Sequence, residues 1–444
     1  MSRLPLISLL LAGFVAASAG HSRHQQPVFR QIDAIVKSLS EISGLSEKHS
    51  VPYGHMSKRQ LRQFLTKRIR KTLRPDEIKA DEIALKLFGL VPPDFDLKKS
   101  TVDLLTEQAA AFYDYDEKKL FLLDESSFSD EVTTLAHELA HALADQHFDL
   151  QKFVDESVSD DDENLAHTAV VEGQASWLMI AYDLKQDGQP PVPTPEMLKS
   201  VMESSDGSMA DYPVLKSSPL YIQRSLLFPY AEGTMFFDAV YKKEGKRAFT
   251  AVFREPPHDS AQIIHPERYF DGELDTTPPL PDVGNQKTDV TISEGSVGEF
   301  DHTVLIWQYL NEQRARALAP HVRGGRFKVV TTNSGPRPSL VYASEWDSPA
   351  SAGEFFEAYQ RVLRSKWKIC DVSVAREGVF AGTGDNGYFA VRLSGILVSS
   401  VEGISDLATW ERLTAPETEP KVVASSARGA RYPSDTLAIW GGKN

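Results

Sequence analysis

His137-Glu138-Leu139-Ala140-His141 constrains this chain more than any other stretch. Residues four apart on a helix lie about 40° apart around its axis, so the two imidazoles converge on one point. Leu135, Ala136, Leu139, Ala140 and Leu143 surround the polar trio with apolar side chains. A buried His-Glu-His set leaves costly unsatisfied groups unless something binds them, and a divalent metal ion answers that need. Glu138 projects about 100° from His137, near enough to take a proton from water at the ion without ligating it. The H-E-x-x-H pattern therefore predicts a helix through this segment, starting at Ser129 as N-cap with Asp130 and Glu131 in its first turn.

A catalytic zinc takes three protein ligands and keeps one position open. Two residues compete for the third place. His147 stands six positions after His141, the spacing of H-E-x-x-H-x-x-G-x-x-H, but Ala144 occupies the site of the helix-breaking glycine. A helix that continues through Ala144 carries His147 about 120° away from His141 and leaves it a capping role. Glu172 lies in Val170-Val171-Glu172-Gly173-Gln174-Ala175, on a second predicted helix from Leu165 to Lys185. Gly173 and Ala175 allow a close helix approach there, which suits a His₂Glu site. His167, about 140° from Glu172 on that helix, is expected at the surface or behind the ligands.

The 444 residues are 41% hydrophobic and 25% charged, which predicts a folded chain of two or three domains. A formal charge of −14 argues against a nucleic-acid partner. The single cysteine, Cys370, excludes an intramolecular disulfide. Arg3, the apolar run Leu4 to Ala17, and Ala17-Ser18-Ala19 read as a signal peptide over 1–19, so the expected location is secreted or periplasmic. That run is shorter than the roughly 20 apolar residues of a membrane span, and no stable membrane anchor is expected.

Apolar spacing predicts a helical segment over about 28–110, and Phe112 to Leu123 reads as a β-hairpin. The acidic run Asp160-Asp161-Asp162-Glu163 is read as a solvated loop, and the basic run from Lys58 to Arg74 as a solvated helix face. Three prolines and a glycine between Thr276 and Val290 mark a domain boundary, with the linker expected over 276–297. Beyond it, helix and strand patterns alternate over 298–425, before a tail over 426–444. The fold class expected is α+β: a predominantly helical domain with a small sheet over 20–275, then a smaller C-terminal α+β sandwich.

On these residues the chain resembles the gluzincin class of zinc peptidases. The likeness runs through Phe112-Tyr113-Asp114, Leu135 to Leu143, Asp145-Gln146-His147-Phe148, Glu172-Gly173-Gln174-Ala175, Pro256-Pro257, Gln262, His265-Pro266 and Tyr269. It covers about residues 50–270 and is similar to a group of secreted bacterial and archaeal proteins. What it implies is a zincin-like fold, Zn²⁺ as cofactor, and hydrolysis of a peptide or protein substrate. It also implies that the strand Leu120 to Leu123 is a sheet edge able to align an extended chain. One departure stands out: Ser176 holds the position, four after Glu172, where many gluzincins place a histidine-orienting aspartate. Asp145 is the expected substitute.

The metal ligands expected are thus His137, His141 and Glu172, with Glu138 as general base. The oxyanion donor is sought among His265, His258, Tyr230 and Tyr269, and His265 is preferred. The rival reading is a secreted binding protein whose zinc only staples the fold, through four protein ligands.

Overall fold

The computed structural model describes residues 31–415, apart from 73, 125–127, 158–159, 201–211, 284–289 and 333–334. The expected signal peptide and the tail over 426–444 lie outside the described residues. No helix among those described is long and apolar enough to cross a membrane.

Helix α1 (Ile32–Ser43) buries Ile32, Ile35, Val36, Leu39 and Ile42 at helical spacing and stops at Gly44, whose φ of 81° favours glycine. Helices α2 (Lys58–Thr72), α3 (Pro75–Phe88) and α4 (Leu97–Gln108) follow. Pro75 opens α3, where its missing N–H costs nothing, and Asp96 caps α4 by accepting from the Lys99 N–H.

Three short strands form the first sheet: β1 (Tyr53–Met56), β2 (Ala111–Asp114) and β3 (Lys119–Leu123), in the order β1-β3-β2. The hairpin β2–β3 is antiparallel as its pattern predicts, but β1 pairs with β3 in parallel. The expectation that Leu120 to Leu123 is an edge is therefore corrected. β3 is the central strand, and β1 and β2 are the two edges. A distant four-residue segment supplied the covering strand, which local periodicity does not reveal.

Side chains alternate across this sheet. Phe112 stacks on Phe121 at 5.1 Å between centroids, and both meet Phe64 of α2. Asp114, on the same face, takes both carboxylate bonds from Arg68 of α2, at 2.7 and 2.6 Å. Tyr113 points the other way, towards α5 (Phe128–Phe148), where its hydroxyl donates to Asp145. The sheet is thus clamped between α2 and α5. Helix α5 begins at Phe128, one residue ahead of the expected cap Ser129, and runs on through Ala144 as its composition predicts.

After α6 (Leu150–Asp155) comes α7 (Asp161–Gln186), longer than expected at its start. The acidic run is not a solvated loop. Asp160 caps the helix by accepting from the N–H groups of Asp162 and Glu163, and Asp161 and Asp162 are buried. The helix dipole and the Ser260 N–H, which donates to Asp162 at 2.9 Å, draw these carboxylates inward. Helix α8 (Leu220–Glu244) packs along α7, and their backbones meet at Gly173 and Gly233. A Cβ on either glycine would run into the other helix's backbone. Three short helices close this part: α9 (Ala248–Arg254), α10 (Ser260–Ile264) and α11 (Pro266–Asp271).

The C-terminal part is a seven-stranded antiparallel sheet. Its strands are β4 (Val290–Ser296), β5 (Val322–Thr332), β6 (Gly335–Trp346), β7 (Cys370–Arg376), β8 (Val379–Gly384), β9 (Gly387–Ser394) and β10 (Leu397–Ile404), in the order β4-β5-β6-β10-β9-β8-β7. β4 lies inside the expected linker, and β8 was hidden between its neighbours because its short, small-residue stretch carries little periodicity. Helices α12 (Glu299–Tyr309), α13 (Glu312–Leu318) and α14 (Pro349–Lys366) lie on the side of this sheet that meets the helical part, while α15 (Leu407–Thr414) covers its other face. One core spans both parts. Phe88 of α3 meets Phe327 and Tyr342 edge-on at 5.6 and 5.5 Å, and buried Lys366 donates to both the Leu87 carbonyl and Glu402. The mixed α+β class expected is what the chain adopts.

Candidate metal centre

Helix α5 places His137 and His141 one turn apart on the face that meets α7, and α7 brings Glu172 to them. His137 Nε2 lies 3.1 Å from Glu172 Oε2 and 3.0 Å from His141 Nε2, and His141 Nε2 lies 3.4 Å from the same carboxylate oxygen. This trio could hold a metal ion, and it is the one such group of His, Cys, Asp and Glu side chains found among the described residues. None is more than 1% exposed. Burial alone would raise the Glu172 carboxyl, but the His141 charge and the hydrogen bond from His137 hold it down at about 2. Glu172 is an anion facing two imidazoles.

Glu138 is fully buried beside the trio. Its Oε2 accepts from the backbone N–H of Tyr113 at 2.7 Å, a donor on the edge strand β2. Asp145, the expected partner of a ligand histidine, is engaged elsewhere. It accepts from the Tyr113 hydroxyl, from Lys118 at 2.8 Å and from the Leu150 N–H at 2.9 Å. It fixes the hairpin to α5 and leaves the imidazoles alone. The Nδ1 atoms of both His137 and His141 are buried without a hydrogen-bond partner among the described residues.

The competing ligand His147 is carried away by the unbroken helix, and its Nε2 meets the Ser46 carbonyl at 2.8 Å. His167 is buried, not at the surface: its ring stacks on Phe153 and its Nδ1 reaches that residue's carbonyl. Of the four candidate donors, the structure brings Tyr230 to the trio. The Tyr230 ring stacks on His137 at 6.0 Å and its hydroxyl is hydrogen-bonded to Glu172. His265 turns its Nε2 to Glu299 of α12 at 2.9 Å, His258 pairs with Glu163, and the Tyr269 hydroxyl donates to the Glu255 carbonyl.

Tyr115 escaped the sequence reading. Its ring meets His141 edge-on at 6.1 Å, and its buried hydroxyl has no hydrogen-bond partner among the described residues. Burial, followed by the charges of Glu172 and Glu138, raises both the Tyr115 and the Tyr230 phenols well above their ordinary value. Both therefore stay protonated: the Tyr115 hydroxyl has its proton to offer an arriving oxygen, while that of Tyr230 is shared with Glu172. The signal that could have found Tyr115 is the alternation Tyr113-Asp114-Tyr115, which sends the two phenols to one face.

The C-terminal part, over residues 287–414, matches a family described as a domain of unknown function, DUF8575. No curated protein and no solved structure matches the chain.

Proposed function

We propose that the chain is a secreted zinc-dependent peptidase of zincin-like fold. The observation that carries this reading is the spacing of the three ligand atoms, 3.0, 3.1 and 3.4 Å apart. Tetrahedral zinc with bonds of about 2.0–2.1 Å sets its ligands roughly 3.3 Å apart, so the trio fits the ion without rearrangement. Two Nε2 atoms facing each other across 3.0 Å, beside a carboxylate, are what a shared cation would reconcile.

His137, His141 and Glu172 would hold the zinc, which when bound supplies a Lewis acid and brings the pKa of water to about 7. Glu138, steadied by the Tyr113 N–H, takes the proton of the attacking water and returns it to the leaving amine. The Tyr115 hydroxyl donates to the oxygen that gains charge as the peptide carbonyl is attacked, and the Tyr230 hydroxyl joins it by turning from Glu172. An extended substrate would lie along β2, whose outer edge faces Glu138. Because the trio is almost wholly buried, the hairpin and α8 must part before a chain enters. Export rests on Arg3 and the run Leu4 to Ala17.

That burial also favours the second reading, a zinc that only staples the fold. A closed structural site needs four protein ligands, and three are found here among the described residues. The test is to load the purified protein with zinc, count metal per chain, and digest a peptide library. Stoichiometric zinc with cleavage that a chelator abolishes supports the peptidase; stoichiometric zinc and an intact library supports the staple.

A further inference from the structure

Helix α2 carries a set of cations that the metal centre does not use. Arg59, Arg62, Gln63, Thr66, Lys67 and Arg70 line one open depression on its outer face. Lys71 and Arg74 continue the series, both exposed. Arg62 pairs with Asp103 and Lys71 with Asp116, but among the described residues no carboxylate pairs with Arg59, Lys67 or Arg70.

This placement works against the helix itself. Lys58 and Arg59 sit in its first turn, where no acid offsets them and the helix dipole disfavours positive charge. Arg59 and Arg62, Lys67 and Arg70, and Lys67 and Lys71 are like charges three or four apart, each pair unfavourable. A chain with net charge −14 has acids to spare, yet none is interleaved here. Such self-repulsion is relieved when an anion arrives.

The opposite face of α2 decides how the anion is met. Leu61, Leu65 and Ile69 are buried, and Phe64 packs on Phe112 and Phe121. The apolar stripe is thus spent inside the protein and cannot insert into a bilayer. The exposed face is an open, cation-lined depression on a helix, with no strand edge on which an extended peptide could pair. It suits a plane of phosphates.

We propose that the outer face of α2 docks the protein on anionic lipid through headgroup phosphates, by charge alone. Because the first sheet separates α2 from α5, adsorption through this face leaves the metal centre on the far side of that sheet from the lipid. The inference stands apart from the peptidase reading.

The test is flotation of the full chain with vesicles of phosphatidylcholine containing one-third phosphatidylglycerol, against vesicles of phosphatidylcholine alone. Wild type should bind only the anionic vesicles, and should be released at about 0.5 M salt, where screening acts within about 4 Å. The triple variant Arg59→Gln, Lys67→Gln and Arg70→Gln should bind about a hundredfold more weakly. Glutamine keeps helix propensity, and an unchanged circular dichroism spectrum checks the fold. As a second variant, Lys98→Gln on α4 should bind like wild type. Equal binding to both vesicle types, or undiminished binding by the triple variant, overturns the proposal. Capture by polyglutamate without capture by anionic vesicles overturns it too, in favour of an acidic polypeptide.

Discussion

The backbone N–H of Tyr113 donates to Glu138 Oε2 at 2.7 Å, so a strand aims the carboxylate beside the trio. That backbone donor is untouched by a change at position 138, and Gln there keeps an oxygen to accept it. Glu138→Gln should retain fold and zinc while hydrolysis falls about a thousandfold. Metal analysis and peptide cleavage on one preparation check this; full activity in the variant would remove Glu138 from the chemistry.

Glu172→Ala should empty the site or weaken zinc by orders of magnitude, because it deletes the ligand that meets both imidazoles. His147→Ala should leave zinc stoichiometric, since that ring meets the Ser46 carbonyl and Phe148 and not the trio. Dialysis followed by metal analysis separates the two.

Tyr115→Phe and Tyr230→Phe should each lower kcat by about a hundredfold with metal content unchanged. The structural alternative, a phenol that only packs, predicts wild-type kcat in both variants.

Arg68 and Asp114 form a buried bidentate pair, 9% and 2% exposed at their side chains. Asp114→Ala leaves the guanidinium buried with a single carboxylate partner among the described residues, Asp116, at 3.3 Å. We expect a loss of about 3 kcal/mol in chemical denaturation. A loss below about 1 kcal/mol would mean the pair is replaced by water.

Two groups at the junction with the C-terminal part set a pH trend. His265 is raised by its hydrogen bond to Glu299, so its contribution is complete below the unfolded value of about 6.5 and is lost as pH rises through the folded one. Asp275 is pushed up to about 7, by burial first and then by Asp259, so its ionisation costs nothing below about pH 4 and its full cost is reached above about 7. Both bind more protons folded than unfolded, so both make stability fall as pH rises. His265→Gln with Asp275→Asn should flatten the decline in Tm between about pH 5 and 8.

How much of this was legible beforehand follows from which contacts are local. His137, Glu138 and His141 are related by helix geometry within five residues, and Ala144 foretold the fate of His147. Glu172 was legible through the small residues beside it. The order of the first sheet was not, because β1 reaches β3 across more than sixty residues of chain. Nor was the burial of Asp161 and Asp162, which depends on Ser260 and on the helix dipole. Tyr115 was missed for a related reason: its alternation with Tyr113 is visible, but the face it joins is known only once α2 and α5 are in place.

The contact between Gly173 and Gly233 acts as a gauge. Glu172 precedes one glycine, and Tyr230 lies one turn before the other, so the closest approach of the two backbones sets how far the phenol stands from the carboxylate. A single methyl group at either position pushes the helices apart and stretches that reach at the same stroke. The tolerance of the centre is therefore set by the absence of two side chains, neither of which would ever touch a substrate.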